Sequence, residues 1–134
     1  MQDKMRVGIS TASLYPLETE KALRELAIRG IKTVEIFFNA NCELTGDIFK
    51  EICNIVDEYA IDVASVHPFT CPIEPLMLFS RYERRVDEML DYYKRYFNAM
   101  GELGAEIFVL HGAFKNGNCT IERYIERYQR LFQL

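Results

Sequence analysis

Ile107-Phe108-Val109-Leu110-His111-Gly112 is the stretch that decides the fold: a short apolar run that ends in a histidine and a glycine. A second stretch of the same kind lies upstream, where residues 61–66 run into His67. Each predicts a buried strand that delivers a histidine at its carboxyl end. Because these are the only two histidines of the chain, His67 and His111 are the first candidates for functional residues.

The composition is that of a globular chain, and we expect one domain over residues 1–134. Hydrophobic residues make up 49% and charged residues 27% of the sequence. No apolar run approaches the ~20 residues of a membrane span, and the first residues do not resemble a secretory signal. The four cysteines form no C-x-x-C pair, which argues against a zinc ribbon and fits reduced thiols in a cytoplasm. A net charge of -4 disfavours a nucleic-acid partner.

Apolar periodicity predicts four successive βα units. Strands are expected at residues 4–15, 31–38, 61–67 and 105–110, and helices at 16–30, 45–60, 80–104 and 120–132. Pro16 is expected in the first turn of helix one, Thr45 and Thr120 as N-caps, and Ser80 with Glu83 as a capping box. Apolar residues on both strand faces favour a parallel sheet between helices. Both an open doubly wound sheet and a barrel are compatible with this order, although the G-x-G-x-x-G dinucleotide fingerprint is missing.

The position of the polar residues favours the barrel. Three alternating sets are expected to share one face, namely Thr33, Glu35 and Phe37 in strand two, Val63, Ser65 and His67 in strand three, and Ile107, Val109 and His111 in strand four. A carboxylate such as that of Glu35 is costly to bury against a helix layer. These faces should therefore point inward, toward the carboxyl-end mouth where barrel enzymes keep their sites.

Four short segments stand at the strand ends: Val7-Gly-Ile-Ser-Thr, Val34-Glu-Ile-Phe-Phe, Val66-His-Pro-Phe and Leu110-His-Gly-Ala. In their order and spacing, over nearly the whole chain, they resemble the first four strands of the xylose isomerase-like barrels. That superfamily includes sugar phosphate isomerases/epimerases and the endonuclease IV-type apurinic endonucleases (AP endonuclease family 2). The resemblance implies an α/β fold, the (β/α)4 parallel half of a TIM (β/α)8 barrel, because a complete barrel takes ~250 residues. We expect a fragment, a truncated product, or a half-barrel completed by another copy.

For the two histidines the resemblance implies one of two roles. In the isomerase/epimerase branch, His67 and His111 would bind substrate hydroxyls, while carboxylates of later strands hold the metal. In the endonuclease branch, both would ligate zinc. The alternative is a pair of strand-end histidines satisfied by the backbone. Two histidines fall short of the three protein ligands of a catalytic metal site, so a divalent metal (Zn, Mn or Mg) held by this chain alone should be weak.

Glu35 is the candidate catalytic residue. A buried carboxylate with a raised pKa would position substrate or act as an acid or base. The alternative is an ion pair with Arg6 or Lys32.

Hydroxyl and aromatic residues at the strand ends are further candidates. Ser10 is a candidate substrate-binding residue, as are Thr11 and Ser13, although hydroxyls and amides such as those of Asn39 and Asn41 more often form turns. Phe37 is a candidate for an apolar substrate pocket, together with Phe38, Phe69 and Phe114, or these rings belong to the core. The Arg/Tyr-rich segments 81–96 and 123–128 could form a nucleic-acid surface, but interspersed acids favour amphipathic helices.

Three functions remain open from the sequence. The first is metal-assisted proton transfer on an open-chain sugar, sugar phosphate or polyol. The second is a zinc-dependent apurinic-site endonuclease, which the acidic net charge disfavours. The third is a non-catalytic half-barrel whose open edges pair with a second copy or another chain.

Overall fold

The structure, a computed structural model, describes residues 5–113 and 119–134. Within these ranges the helices and strands are β1 Ile9–Ser10, α1 Thr19–Ile28, β2 Thr33–Phe38, α2 Gly46–Tyr59, β3 Asp62–Pro68, α3 Glu83–Leu103, β4 Ile107–Phe108 and α4 Ile121–Leu131. Short 3-10 turns follow β1 at Thr11–Leu14 and β2 at Asn41–Leu44. The four strands form one parallel sheet in the order β1-β2-β3-β4. The predicted α/β fold class with a parallel sheet is therefore confirmed.

The chain divides into two compact units. The first consists of Met1–Phe69 and Ala99–Val109 and contains the sheet, α1, α2 and the end of α3. The second consists of Thr70–Asn98 and Leu110–Leu134 and contains most of α3 and all of α4. The single domain expected over residues 1–134 stays a prediction.

Strand β2 separates a helix-covered face of the sheet from an open one. Val34, Ile36 and Phe38 are fully buried, and the ring of Phe38 lies 6.5 Å from that of Phe49 on α2. Burying three such side chains contributes roughly 1.5–3 kcal/mol each to stability. The alternate residues of β2, Glu35 among them, are only half-buried. Glu35 therefore lies on the open face, as its charge requires.

A β-bulge changes the faces of strand β3. Val34 pairs with Val63, but the next residue, Glu35, pairs with Ser65, so Ala64 is an extra residue. Ser65 thus lies beside Glu35 on the open face, while Val63 is buried like Val34. The prediction that Val63 shares a face with Ser65 is wrong, because strict alternation assumes an uninterrupted strand.

Strand one is much shorter than the predicted 4–15. After Ser10 the chain turns into the 3-10 segment, whose start is capped by Ser10 Oγ accepting the Ala12 N–H at 3.3 Å. Thr11 then pairs with β2 through its side chain: Phe37 N–H donates to Thr11 Oγ1 at 2.9 Å. Helix α1 begins at Thr19, so Pro16 precedes it and the predicted first-turn position is wrong.

The ends of the next helices follow the sequence more closely. Gly30, with φ +82°, follows the end of α1 as predicted. Thr45 is at the N-cap position of α2, although its side chain makes no capping hydrogen bond. The fully buried face of α2 is formed by Phe49, Ile52 and Ile55. Ala60, the C-cap residue of α2, is exposed.

In the second unit, Thr120 caps α4 as predicted, since its Oγ1 accepts the Arg123 N–H at 3.3 Å. The predicted capping box of α3 is wrong. Ser80 Oγ accepts the Tyr82 N–H, and Glu83 binds the guanidinium of Arg127 at 2.6 Å.

Helix α3 is amphipathic, with a buried stripe of Val86, Met89, Leu90, Tyr93, Tyr96 and Met100. Across the described part of the chain, none of the helices has the length and apolar character that crossing a bilayer requires.

Gly8 is predicted to be irreplaceable where the backbone leads into β1. A Cβ there would lie 2.9 Å from the carbonyl oxygen of Thr33, so Gly8→Ala must move a strand and should destabilise the fold by about 1–3 kcal/mol. Gly101→Ala is the matched control. That glycine lies within helix α3 with nothing within 4 Å of the added Cβ, and alanine there should stabilise by about 0.5–1 kcal/mol. Urea unfolding of both variants measures the two effects, and equal midpoints would contradict the close approach.

Candidate functional site

Glu35 lies at the centre of a hydrogen-bonded group on the open face of the sheet. Its Oε2 accepts the Ser65 hydroxyl at 3.1 Å, and its Oε1 lies 3.2 Å from His67 Nδ1. The alternative ion pairs do not form, because Arg6 binds Asp62 and Lys32 donates to the carbonyl of Tyr59. The Glu35 side chain is 26% exposed. Parallel pairing of β2 with β3, displaced by the bulge, brings this group together.

The pKa of Glu35 is lowered, not raised as predicted. Burial by itself raises the pKa of this carboxyl, but hydrogen bonds from Ser10, His67 and Ser65 and the charge of His67 lower it by more. The sequence showed a carboxylate in a strand but not its donors. Glu35 is therefore ionised at neutral pH, which makes it a hydrogen-bond acceptor and a proton acceptor rather than an acid.

The ring of His67 is held on two sides. A carboxylate only accepts, so the Nδ1 that faces Glu35 carries a proton and donates it. The ring of Phe37 packs edge-on against the imidazole with centroids 4.6 Å apart. Phe37 and Glu35 are alternate residues of one strand, so both contacts come from the same face of β2.

An open cavity of about 550 Å³ lies over this face, with Ser10, Glu35 and Ser65 among its lining residues. Its volume is in the range of small-molecule sites. Arg6 and Thr33 also line it, so the cavity lies along the amino-terminal part of the strands and beside Glu35 rather than beside His67.

Several other candidate residues have structural contacts. Thr11 is buried and bonded to β2, Ser13 is exposed in the 3-10 turn, and Asn39 donates to Thr19 at 3.0 Å. Asn41 lies exposed at the start of the second 3-10 turn. The contacts of Thr11 and Asn39 fit the structural alternative.

The phenylalanines divide between core and site. Phe38 belongs to the core, with no exposed surface. Phe37 and Phe69 are half-buried. The ring of Phe37 packs against the imidazole of His67. Phe114 lies outside the described residues.

His111 belongs to a separate group in the second unit, formed around Glu74. Glu74 is fully buried, and its Oε2 accepts the backbone N–H groups of His111 and Gly112, both at 2.9 Å. Its Oε1 accepts the Thr70 hydroxyl at 3.2 Å and lies 3.7 Å from His111 Nδ1. The shared cavity predicted for His67 and His111 stays a prediction; each ring faces its own glutamate.

Sequence analysis missed two buried glutamates, Glu74 and Glu43. Glu43 Oε2 accepts the N–H of Asn39 at 2.6 Å, that of Ala40 at 3.2 Å and the hydroxyl of Thr19 at 3.0 Å. The only local signal for Glu43 was its position three residues after Ala40, which is the spacing of a capping box. Glu74 had no local signal, because its backbone partners are 37 and 38 residues away.

The described residues do not fit a complete metal site. Over residues 5–113 and 119–134, no group of three or more His, Cys, Asp or Glu side chains is placed to hold a metal ion. Glu35 and His67 are adjacent donors, but a catalytic site takes at least three protein ligands. The metal-ligand role of His67 and His111 and the zinc-dependent endonuclease stay predictions.

A scan against protein-family models and a search of curated proteins found no match. Solved structures do match. A D-tagatose 3-epimerase-like protein has a TM-score of 0.73 at 17% identity, over 96% of this chain and 47% of that one. The 3-keto-D-glucoside 4-epimerase of E. coli has a TM-score of 0.69 at 14% identity, over 97% and 50%.

A third match is a xylose isomerase-like TIM barrel fused to a 4-hydroxyphenylpyruvate dioxygenase, with a TM-score of 0.63 at 23% identity, over 97% of this chain and 20% of that one. The chain thus spans half the length of these structures or less. At these identities the likeness concerns the fold alone, and the chain has the fold of half a TIM barrel.

Proposed function

We propose that the chain supplies the part of a sugar isomerase or epimerase site that binds and orients an open-chain sugar. The observation that carries the proposal is the ionised Glu35, held between Ser65 and His67 on the open face of the sheet and beside a cavity. A solvent-accessible carboxylate with side-chain donors can exchange one of them for a substrate hydroxyl. The sugar epimerase names of the structural matches support the same class.

Each residue of the group has a chemical role in this proposal. Glu35 accepts a sugar O–H and, as an ionised base, takes the proton from a carbon next to the carbonyl or from its hydroxyl. Return of that proton by Glu35 to the neighbouring carbon gives the isomer, whereas epimerisation needs a second acid on the opposite face of the sugar, beyond these residues. Nε2 of His67 accepts a second O–H, Ser10 contributes a further hydroxyl, and Phe37 offers an apolar edge. The divalent cation (Zn, Mn or Mg) of this reaction class needs ligands beyond these residues.

His111 is proposed as a second histidine that binds a sugar hydroxyl, from its own group in the second unit. Its ring is 38% exposed and has a carboxylate near Nδ1, as the ring of His67 has. A phosphorylated sugar is proposed as a substrate of the same class.

We also infer a cytoplasmic location, because Cys42, Cys53, Cys71 and Cys119 are all free thiols.

The Glu35 carboxylate should stabilise the fold in a pH-dependent way. Because its folded pKa lies below its unfolded value, the contribution is complete above the unfolded pKa of about 4.3 and is lost as the pH falls through the folded pKa. Glu35→Gln should cost about 1 kcal/mol at pH 7, at the low end for charged hydrogen bonds because the side chain reaches solvent.

Urea unfolding of the wild type and Glu35→Gln between pH 3 and pH 8 measures this difference. It should be constant from about pH 6 to pH 8 and shrink toward pH 3. Glu88→Gln, an exposed position of α3, is the control and should show no such trend. A difference that grows on acidification would mean that the pKa is raised.

Sugar binding should perturb the open face of the sheet. Titration of the ¹⁵N-labelled protein with a ketohexose such as D-fructose should shift the signals of Ser10, Ser65 and His67. Glu35→Gln should weaken binding about tenfold, equivalent to one lost charged hydrogen bond of about 1.4 kcal/mol, and Glu88→Gln should leave it unchanged. Equal affinity of the two variants would sink the proposal.

We further propose that two copies of the chain pair through the open edges of the sheet. Strands β1 and β4 are outermost in the described sheet, and outer strands present unpaired backbone groups. Ile107 of β4 lies beside Ser65 on the open face and is 58% exposed. The structural matches, which are about twice as long, leave room for a second half of this kind.

Light scattering after size exclusion should give about twice the chain mass of 15.7 kDa. Ile107→Lys should shift the protein to monomer, because it places a charge in the paired surface. Ile28→Lys is the matched control: this exposed residue belongs to helix α1 and not to an edge strand, so the mass should be unchanged. A wild-type monomer at 100 μM would rule out pairing of two copies.

A further inference from the structure

Glu74 holds the turn that carries His111 by two hydrogen bonds to consecutive backbone N–H groups. Both bonds, from His111 and Gly112, end on one carboxylate oxygen at 2.9 Å. Two donors from adjacent residues fix the peptide plane between them as well as its position. Gly112 is buried with φ +86°, and a Cβ on it would lie 3.1 Å from the Tyr128 hydroxyl. The turn is therefore restricted both by Glu74 and by Tyr128.

The Glu74 carboxylate is itself fixed by its second oxygen. Thr70 donates its hydroxyl to Oε1 at 3.2 Å, and the Tyr93 hydroxyl lies 3.2 Å from Thr70 Oγ1. Tyr93 is fully buried, and burial raises the pKa of its hydroxyl well above the usual range, so it stays a donor. A chain of three side chains thus leads from the core of the second unit to the backbone of His111.

The same oxygen faces the imidazole. The distance of 3.7 Å from Oε1 to His111 Nδ1 exceeds that of a hydrogen bond, so the contact is electrostatic. In a neutral ring, a carboxylate at this distance attracts an N–H dipole on Nδ1 and repels a lone pair there. It therefore favours the Nδ1–H tautomer, which puts the lone pair on Nε2.

We propose that Glu74 is a positioning residue for His111: it fixes the backbone of the histidine and selects the tautomer whose Nε2 accepts a sugar hydroxyl. The role in sugar binding rests on the proposed function, whereas the backbone and tautomer roles do not. In this arrangement Glu74 needs no contact with the substrate, since it is fully buried and acts through the imidazole.

Glu74→Gln separates the two roles. The amide oxygen can keep both backbone N–H bonds, while the amide NH₂ then takes the place of Oε1 and presents a donor to His111 Nδ1. The tautomer should therefore reverse to Nε2–H although the turn is retained. Glu43→Gln is the matched control, because Glu43 is also a buried glutamate that accepts two backbone N–H groups but has no histidine beside it.

Long-range ¹H–¹⁵N spectra of the imidazole at about pH 9, where a histidine of ordinary pKa is neutral, report the tautomer directly. We expect Nδ1–H for His111 in the wild type and in Glu43→Gln, and Nε2–H in Glu74→Gln. The His67 ring should stay Nδ1–H in all three proteins. An Nε2–H ring in the wild type, or the same tautomer in wild type and Glu74→Gln, would overturn the proposal, as would an equal effect of Glu43→Gln.

A ketohexose titration of the same samples tests the link to function. Glu74→Gln should weaken the response of the His111 ring about tenfold and leave that of His67 within twofold. A tautomer that reverses without any sugar response in the wild type refutes the proposed function and leaves the positioning role intact. Sugar binding at His67 with an unchanged His111 tautomer refutes the positioning role alone.

Discussion

A carboxylate removed from water must receive hydrogen bonds, and three glutamates of this chain meet that requirement with different kinds of donor. Glu43 and Glu74 accept hydrogen bonds from backbone N–H groups. These donors converge on the carboxylates only when the turns that carry them are folded. Glu35 receives side-chain donors, from Ser65 and His67 among others. Glu43 and Glu74 therefore keep their hydrogen bonds as long as the fold is intact. The side chains that donate to Glu35 can rotate away, so a ligand hydroxyl can replace one of them as the donor.

The β-bulge at Ala64 is what gives Glu35 those donors. Without the extra residue, the register that pairs Val34 with Val63 would place Ala64 opposite Glu35 and turn Ser65 and His67 to the helix side. With it, Val63 fills the core and the two polar residues after it reach the open face. One inserted residue thus reconciles an apolar core with a polar surface on the same strand, which is a common use of bulges beside functional sites.

The elements that could be predicted from the sequence are those decided by local periodicity. Strand β2 alternates strictly, and α3 repeats apolar residues at helical spacing, so both were found within a few residues of their bounds. The length of β1 was overestimated, because Thr11 binds β2 through its side chain and does not continue the backbone hydrogen bonds of the strand. No apolar pattern reveals this change. The bulge was missed for a similar reason: Val63, Ser65 and His67 fit an unbroken alternation equally well. The predicted direction of the Glu35 pKa shift was wrong. Burial, which raises the pKa, can be inferred from a position in a strand, whereas the hydrogen-bond donors that lower the pKa come from two other strands.

The pairing of an imidazole with a carboxylate occurs in both units, and it limits the chemistry that either histidine can perform. A proton held on the nitrogen that faces the glutamate leaves the other nitrogen as an acceptor, which suits a sugar hydroxyl. The same lone pair could ligate a metal, but the described residues do not provide the third ligand that catalysis requires. Orientation of a hydroxyl needs only one acceptor at a time, whereas a catalytic metal centre needs at least three protein ligands at once. Binding contacts can therefore be distributed among strands, whereas a coordination sphere must converge on one point.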